Sequence, residues 1–230
     1  MKLILSTDAL PDQSIDELVR ACRRRALDGL EVVLESDQAH GLHEPTLSQG
    51  SCASLRRARR AGIAVEWFHA GRRQQGFAGW GRPAQRLGAG LLLAETSEQP
   101  SGGRVAQLHG SDDSVVRTAV NWAEHHDLRT AWQVEIREVD AGVIDRVLDR
   151  TAERLAHIRL LGGGPEAEEL EGGAMGYLFR SLAMGGYQGT IAIAPSGRDR
   201  LDEWKKWLLD QRGWGCNTAA EKRAGRVGRS

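Results

Sequence analysis

The feature that most constrains the fold is a rhythm: eight short apolar runs, most of them separated by stretches whose apolar residues recur at helical spacing. The runs are "KLILS", "GLEVVLE", "IAVEWFHA", "AGLLLAE", "RVAQLHG", "RTAWQVEI", "HIRLLGGG" and "GTIAIAPSG". Between the first two, "PDQSIDELVRACRRRALDG" sets Ile15, Leu18, Val19, Cys22, Ala26 and Leu27 on one helical face. Ser14 and Glu17 form a capping-box pattern at its start, and Gly29 suits its far end. Later faces are carried by Leu55 and Ala58, by Val116, Ala119 and Val120, by Val143, Ile144 and Val147, by Met175, Leu178 and Phe179, and by Leu201, Trp204 and Leu208. Parallel strands need crossovers of this kind, commonly a helix. Strands alternating with helices in this number predict an α/β fold, a (β/α)8 TIM barrel, with an open doubly wound sheet as the rival. No G-x-G-x-x-G follows the first strand to favour that rival.

The middle of the chain departs from the rhythm. Gly71 to Gly90 is rich in Gly, Arg and Gln, with only "RPAQRLGA" able to form a short helix, and strands four and five are joined by the brief "TSEQPSGG". An irregular barrel around strands three to five is therefore expected. Residues 1–212 read as a single domain, and residues 213–230, small, polar and basic, as a disordered tail.

Charge and cysteines narrow the partners. The 31 basic and 31 acidic residues cancel, so no overall field draws the chain to nucleic acid or an anionic membrane. Cys22, Cys52 and Cys216 lack C-x-x-C spacing, which suggests free thiols in a reducing compartment. "MKLILSTDAL" is too short in its apolar part for a signal core or a membrane span, so a cytoplasmic location is expected. A small-molecule substrate or an anionic ligand is the expected partner, and the oligomeric state stays open.

Side chains two apart on a strand share a face. That parity groups Glu31, Val33 and Glu35, then Ala64, Glu66 and Phe68, then Gln107 with His109, Gln133 with Glu135, and His157 with Arg159, while strand four ends on Glu95. The opposite faces carry Leu30, Val32, Val65, Trp67, Trp132, Val134, Ile158 and Leu160, as expected beneath a shell of helices. Polar groups inside a barrel must be paired or wet, and the carboxyl ends of the strands are where barrel enzymes hold their chemistry. The catalytic candidates are Glu135, His109 and Glu95: a carboxylate to take a proton beside a carbonyl, and His109 or His157 to shuttle one. The substrate-binding candidates are Glu31, Glu35, His157 and Arg159, with Arg159 steadying an anionic group. Gly163, Gly164, Ser196 and Arg198 lie in loops after strands seven and eight, where barrels bind phosphate. Glu95, His109 and Glu135 are also a tentative metal set, but they have no spacing signature, and a divalent metal is not favoured. A plainer reading is a satisfied interior ion pair of Arg159 with Glu135 or Glu31.

The segments "SIDELVRACRRRALDGLEVVLE", "LAHIRLLGGG" and "GYLFRSLAMGGYQGTIAIAPSG" resemble the xylose-isomerase-like TIM-barrel superfamily, which includes sugar isomerases, epimerases and endonuclease-IV-type nucleases. The likeness spans nearly the whole chain. It implies a barrel whose relatives bind a divalent metal with Glu, Asp, His and Glu from the ends of the last four strands. Glu31 and His157 match family positions, but the ligands do not follow. Arg159 stands at the second histidine of the strand-seven motif, and Ala194 or Pro195 at the strand-eight glutamate. Gln133 and Glu135 replace the strand-six aspartate, and His109 stands where a glutamate is expected. The resemblance thus implies a degenerate metal site in which an arginine repels a divalent cation and attracts an anion. It points to an isomerase- or epimerase-like enzyme for a polyhydroxylated or phosphorylated substrate. The alternative is a barrel that has lost catalysis and serves in ligand binding or assembly.

Overall fold

The computed structural model describes residues 1–34, 39–42, 49–69, 80–93, 104–109, 113–135, 139–162, 173–195, 201 and 204. Its elements are β1 (Lys2–Ser6), α1 (Ile15–Arg24), β2 (Gly29–Val33), α2 (Gln49–Arg60), β3 (Ala64–His69), α3 (Gly81–Leu87), β4 (Gly90–Leu93), β5 (Arg104–His109), α4 (Asp113–His125), β6 (Arg129–Glu135), α5 (Ala141–Thr151), β7 (Leu155–Gly162), α6 (Ala174–Met184) and β8 (Thr190–Pro195). The strands pair in chain order, all parallel, and β8 returns to β1 to close the barrel. The open-sheet rival is excluded by that closure.

The irregularity expected around strands three to five is found in β3 as a β-bulge: Leu30 pairs with Val65, but Glu31 pairs with Trp67. β4 and β5 themselves lie parallel in plain register, Leu91 beside Arg104 and Leu92 beside Val105. A second bulge lies in β7, where Thr130 pairs with Leu155 and Ala131 with His157. One extra residue reverses the side-chain alternation beyond it. Trp67, expected outside, therefore points into the barrel, and Phe68, expected inside, joins the core beneath the helices.

Two apolar layers result. Outside the sheet, Leu3, Leu5, Leu30, Val32, Trp132, Ile158, Leu160, Ile191 and Ile193 pack against helix residues such as Leu18, Leu55, Ile144 and Leu178. Inside, Ile4, Trp67, Leu92, Ala131, Ala156 and Ala192 fill the amino-terminal end of the barrel. Three alanines make room for the indole, and Gly90 lies against it so closely that a Cβ there would overlap the ring. The interior is thus plugged below, and the polar side chains stand on that plug.

Local signals behave as their chemistry dictates. The Ser14–Glu17 capping box is formed, with the Ser14 backbone N–H donating to the Glu17 carboxylate at 2.9 Å. Gly29 does not end α1, however; Ala26 takes the left-handed conformation at φ 53° after the helix, and Gly29 opens β2. Of the last amphipathic helix only Leu201 and Trp204 fall among the described residues, both helical and fully buried. The expected tail and residues 71–79 of the Gly71 to Gly90 segment lie outside the described residues. No helix among the described residues is long and apolar enough to cross a membrane.

Candidate active site

Above the plug, the strands deliver polar side chains to one point inside the barrel. β1 ends in Ser6 and runs into a 3-10 turn, Thr7–Ala9, that holds Asp8; β2 gives Glu31, β6 gives Gln133, and β7 gives His157 and Arg159. Glu31 has no exposed side-chain surface. Its Oε1 accepts from Ser6 Oγ at 2.7 Å and from Arg159 Nε at 2.7 Å, and its Oε2 faces His157 Nε2 at 2.7 Å. Arg159 reaches further, donating from Nη1 to Gln133 Oε1 at 3.0 Å and from Nη2 to Ser6 Oγ at 3.3 Å and to Asp8 Oδ2. The guanidinium is 6% exposed, whereas Asp8 is 34% exposed.

A second chain of bonds descends into the plug. Thr190 Oγ1 lies 2.7 Å from His157 Nδ1 and accepts from Trp67 Nε1 at 2.6 Å. A carboxylate only accepts, so the proton of the His157–Glu31 bond sits on Nε2. With a neutral ring, Nδ1 then accepts the Thr190 hydroxyl hydrogen, and the same oxygen accepts from the indole, so every polar atom is satisfied. The indole also lies against the imidazole, ring centroids 5.1 Å apart.

The electrostatics follow from burial and partners. Burial alone raises the Glu31 pKa, but the Arg159 charge, the His157 hydrogen bond and the nearby His69 together hold its carboxyl well below the usual range. Burial likewise lowers the Arg159 pKa, and Glu31 and Asp8 outweigh it, so the guanidinium is more firmly protonated than an exposed one. Two carboxylates face one guanidinium. The Arg159 charge is thus already met within the cluster.

The structure brings three of the sequence-predicted residues into contact: Glu31, His157 and Arg159. Sequence reasoning also named Glu31 as one of two partners for Arg159. The other, Glu135, lies apart, its half-buried carboxylate packed over Gly162, whose φ of 104° and missing Cβ admit it. His157 is fully buried, with one ring nitrogen bonded to Glu31 and the other to Thr190. His109 Cα pairs with Gln133 on β6, and its side chain lies outside the described residues. Glu35, Glu95, Gly163, Gly164, Ser196 and Arg198 also lie outside them, which leaves Glu135 alone of the tentative metal set. Ser6, Asp8, His69, Thr190 and the inward Trp67 were missed. The polar "STD" directly after an apolar strand was a usable signal for Ser6 and Asp8; the β3 bulge hid the other side of the ring.

The described residues do not fit the divalent metal that the resemblance implies. A guanidinium stands on the β7 position of the ring, and the Glu31 oxygens are occupied by Ser6, Arg159 and His157. Among the described residues no three His, Cys, Asp or Glu side chains form a group able to hold a metal ion. A separate cavity of about 580 Å³ opens at the opposite, amino-terminal face beside Lys2, Arg129 and Tyr187, with Trp67 and Thr190 also on its wall.

No protein-family model and no curated protein matches the sequence. Solved structures do resemble it. A 3-keto-D-glucoside 4-epimerase from E. coli is 12% identical, with 93% of this chain and 99% of that one covered and a TM-score of 0.65. Endonuclease IV from Thermus thermophilus is 12% identical over 91% and 100%, at 0.57. D-psicose 3-epimerase from Clostridium cellulolyticum is 10% identical over 96% and 99%, also at 0.57. At such identities the likeness is one of fold. The closed eight-stranded barrel and these neighbours show that the chain has an α/β TIM-barrel fold, which sugar epimerases and an endonuclease IV share.

Proposed function

We propose that this chain is a sugar isomerase- or epimerase-like enzyme acting on a small polyhydroxylated substrate at the carboxyl-terminal mouth of the barrel. The observation that carries the reading is the placement of Arg159 between Glu31 and Asp8 with Gln133 on its edge. That arrangement holds a polar, largely dry floor in one geometry, as proton transfer next to a carbonyl requires. Two solved structures with this fold are sugar epimerases, which supports the same substrate class.

Roles follow from exposure. Glu31 and His157 are sealed and act as supports. Asp8, partly exposed, is the proposed base that removes the proton from the carbon beside the carbonyl; Glu135, half-buried nearer the rim, is the proposed partner acid. Gln133 and the Arg159 edge would donate to the oxygen on which charge develops. Return of the proton to the same carbon from the opposite face gives the epimer, and return to the neighbouring carbon gives the isomer. His109 and Glu95 remain proposed catalytic groups and Glu35 a proposed substrate-binding group, on sequence grounds alone. A phosphorylated substrate would need Gly163, Gly164, Ser196 and Arg198. Because the Arg159 charge is already met by two carboxylates, the floor itself favours a neutral polyol over an anion.

Incubation with a panel of ketoses, aldoses and keto-glycosides in D2O, followed by NMR, tests this reading. Deuterium should enter at the carbon next to the carbonyl, and Asp8→Asn should slow the exchange by about 10²-fold or more. Binding with no exchange for any sugar would instead fit a barrel that holds a ligand without chemistry.

A further inference from the structure

The groups around the Arg159 guanidinium are a set of cation ligands. Glu31 and Asp8 contribute carboxylate oxygens, Gln133 an amide oxygen and Ser6 a hydroxyl, all bonded to one side chain from β7. They arrive from β1, the turn after it, β2 and β6, so barrel closure and not a local loop assembles them. His157 sits at 2.7 Å on the remaining Glu31 oxygen, and His69 is close enough to act on that carboxylate. Hard oxygen donors with a pair of carboxylates suit Mg²⁺, Ca²⁺ or Mn²⁺. In this chain the cation is covalently attached and does not lose its proton.

We propose that Arg159 is the resident cation of a latent divalent-metal site: the guanidinium fills and neutralises an acceptor ring that takes up a divalent ion when the guanidinium is removed. Two features support exchange of one cation for the other. Glu31 is fully buried, so loss of its cation leaves a charge that strongly favours another. Asp8 is a third exposed and gives an entry path from the mouth. As long as Arg159 is present, the ring is closed to divalent ions. The proposal concerns the charge balance of the floor and does not depend on which substrate, if any, the mouth turns over.

The test compares the wild-type chain with Arg159→His and Arg159→Gln, each titrated with Mn²⁺ after chelation and followed by EPR and thermal unfolding. Either variant should bind about one Mn²⁺ per chain, at least about tenfold more tightly than wild type, with an upward shift in Tm. Adding Asp8→Asn to the variant should abolish the gain. A wild-type chain that binds Mn²⁺ as tightly as the variants, and loses it on Asp8→Asn, overturns the proposal, as does a folded variant that gains no Mn²⁺. Should the variants unfold in metal-free buffer, recovery on refolding with Mn²⁺ supports it and failure of both to recover overturns it. Absence of sugar turnover in the wild type bears on the enzymatic reading alone and leaves these outcomes unchanged.

Discussion

His157 donates from Nε2 to Glu31 across 2.7 Å, and neither side chain has exposed surface. This contact and the Arg159 pair hold the Glu31 carboxyl below its usual range despite burial. An unfolded chain therefore takes up this proton before the native one does, near about pH 4.3 for an ordinary glutamate. The sign follows: the contribution of Glu31 to stability is complete above that range and is lost as pH falls toward the lower native value. Denaturant unfolding from pH 7 down to about pH 3 should show a steep loss that Glu31→Gln flattens. An unchanged slope in Glu31→Gln would show that other carboxylates govern acid sensitivity.

Asp8 and Glu31 share one guanidinium but differ in burial, and their removal should differ accordingly. Glu31→Gln disrupts a sealed pair and should cost about 3–5 kcal/mol. Asp8→Asn, at a partly solvated position, should cost about 1 kcal/mol or less. Urea unfolding of the two variants side by side checks the order, and equal losses would contradict the assignment of Glu31 as the buried anchor.

Thr190 supplies one hydroxyl to both Trp67 and His157. Thr190→Val keeps the shape and removes both bonds, leaving two buried polar atoms unpartnered, with an expected loss of about 2–4 kcal/mol. Thr190→Ser, which keeps the hydroxyl, should recover most of it. Chemical denaturation of both variants measures the difference; a Val variant as stable as wild type would remove the relay from the account of the core.

Gly162 has a φ of 104°, and a Cβ there would overlap the Glu135 carboxylate. Gly162→Ala should destabilise by about 1–3 kcal/mol. Part of that loss is steric and should vanish when Glu135→Ala is added, so the pair should show a coupling of about 0.5–1 kcal/mol in a double-mutant cycle. Strict additivity would mean the two groups do not meet in solution.

Burial pushes the Cys22 thiol up to about 12, whereas Cys52 is half-buried. Native alkylation monitored by mass spectrometry should label Cys52 and spare Cys22 until the chain is unfolded. Early labelling at Cys22 would show that α1 opens locally.

Much of this was readable before folding, for identifiable reasons. Period-two alternation put His157 and Arg159 on one face, and no bulge separates them, so the inference survived. Period-3.6 faces named Leu18, Val19, Ile144 and Leu178, all buried against the sheet. The identity of Arg159's partners was less accessible. Ser6, Asp8 and Glu31 lie more than 120 residues away in sequence and meet it only because β8 closes onto β1. Trp67 was misplaced because parity was counted through Glu66 without its extra step. A bulge has no strong residue signature, so a count of alternation cannot see it.

Those two bulges carry an implication for how such a barrel changes over generations. Each absorbs one surplus residue, so the strand beyond it keeps its register and its lining although the chain is longer. Taking Glu66 out would leave a regular strand with Trp67 still opposite Glu31 and still facing the lumen. Pairing Glu66 within the ladder would do the reverse, sending Trp67 toward the helices and Phe68 toward the lumen without altering either side chain. In this fold a one-residue insertion or deletion therefore has two possible fates. Taken up as a bulge it leaves the interior unchanged, and taken up as a shift it exchanges an entire lining at once, where point substitutions would have to proceed residue by residue.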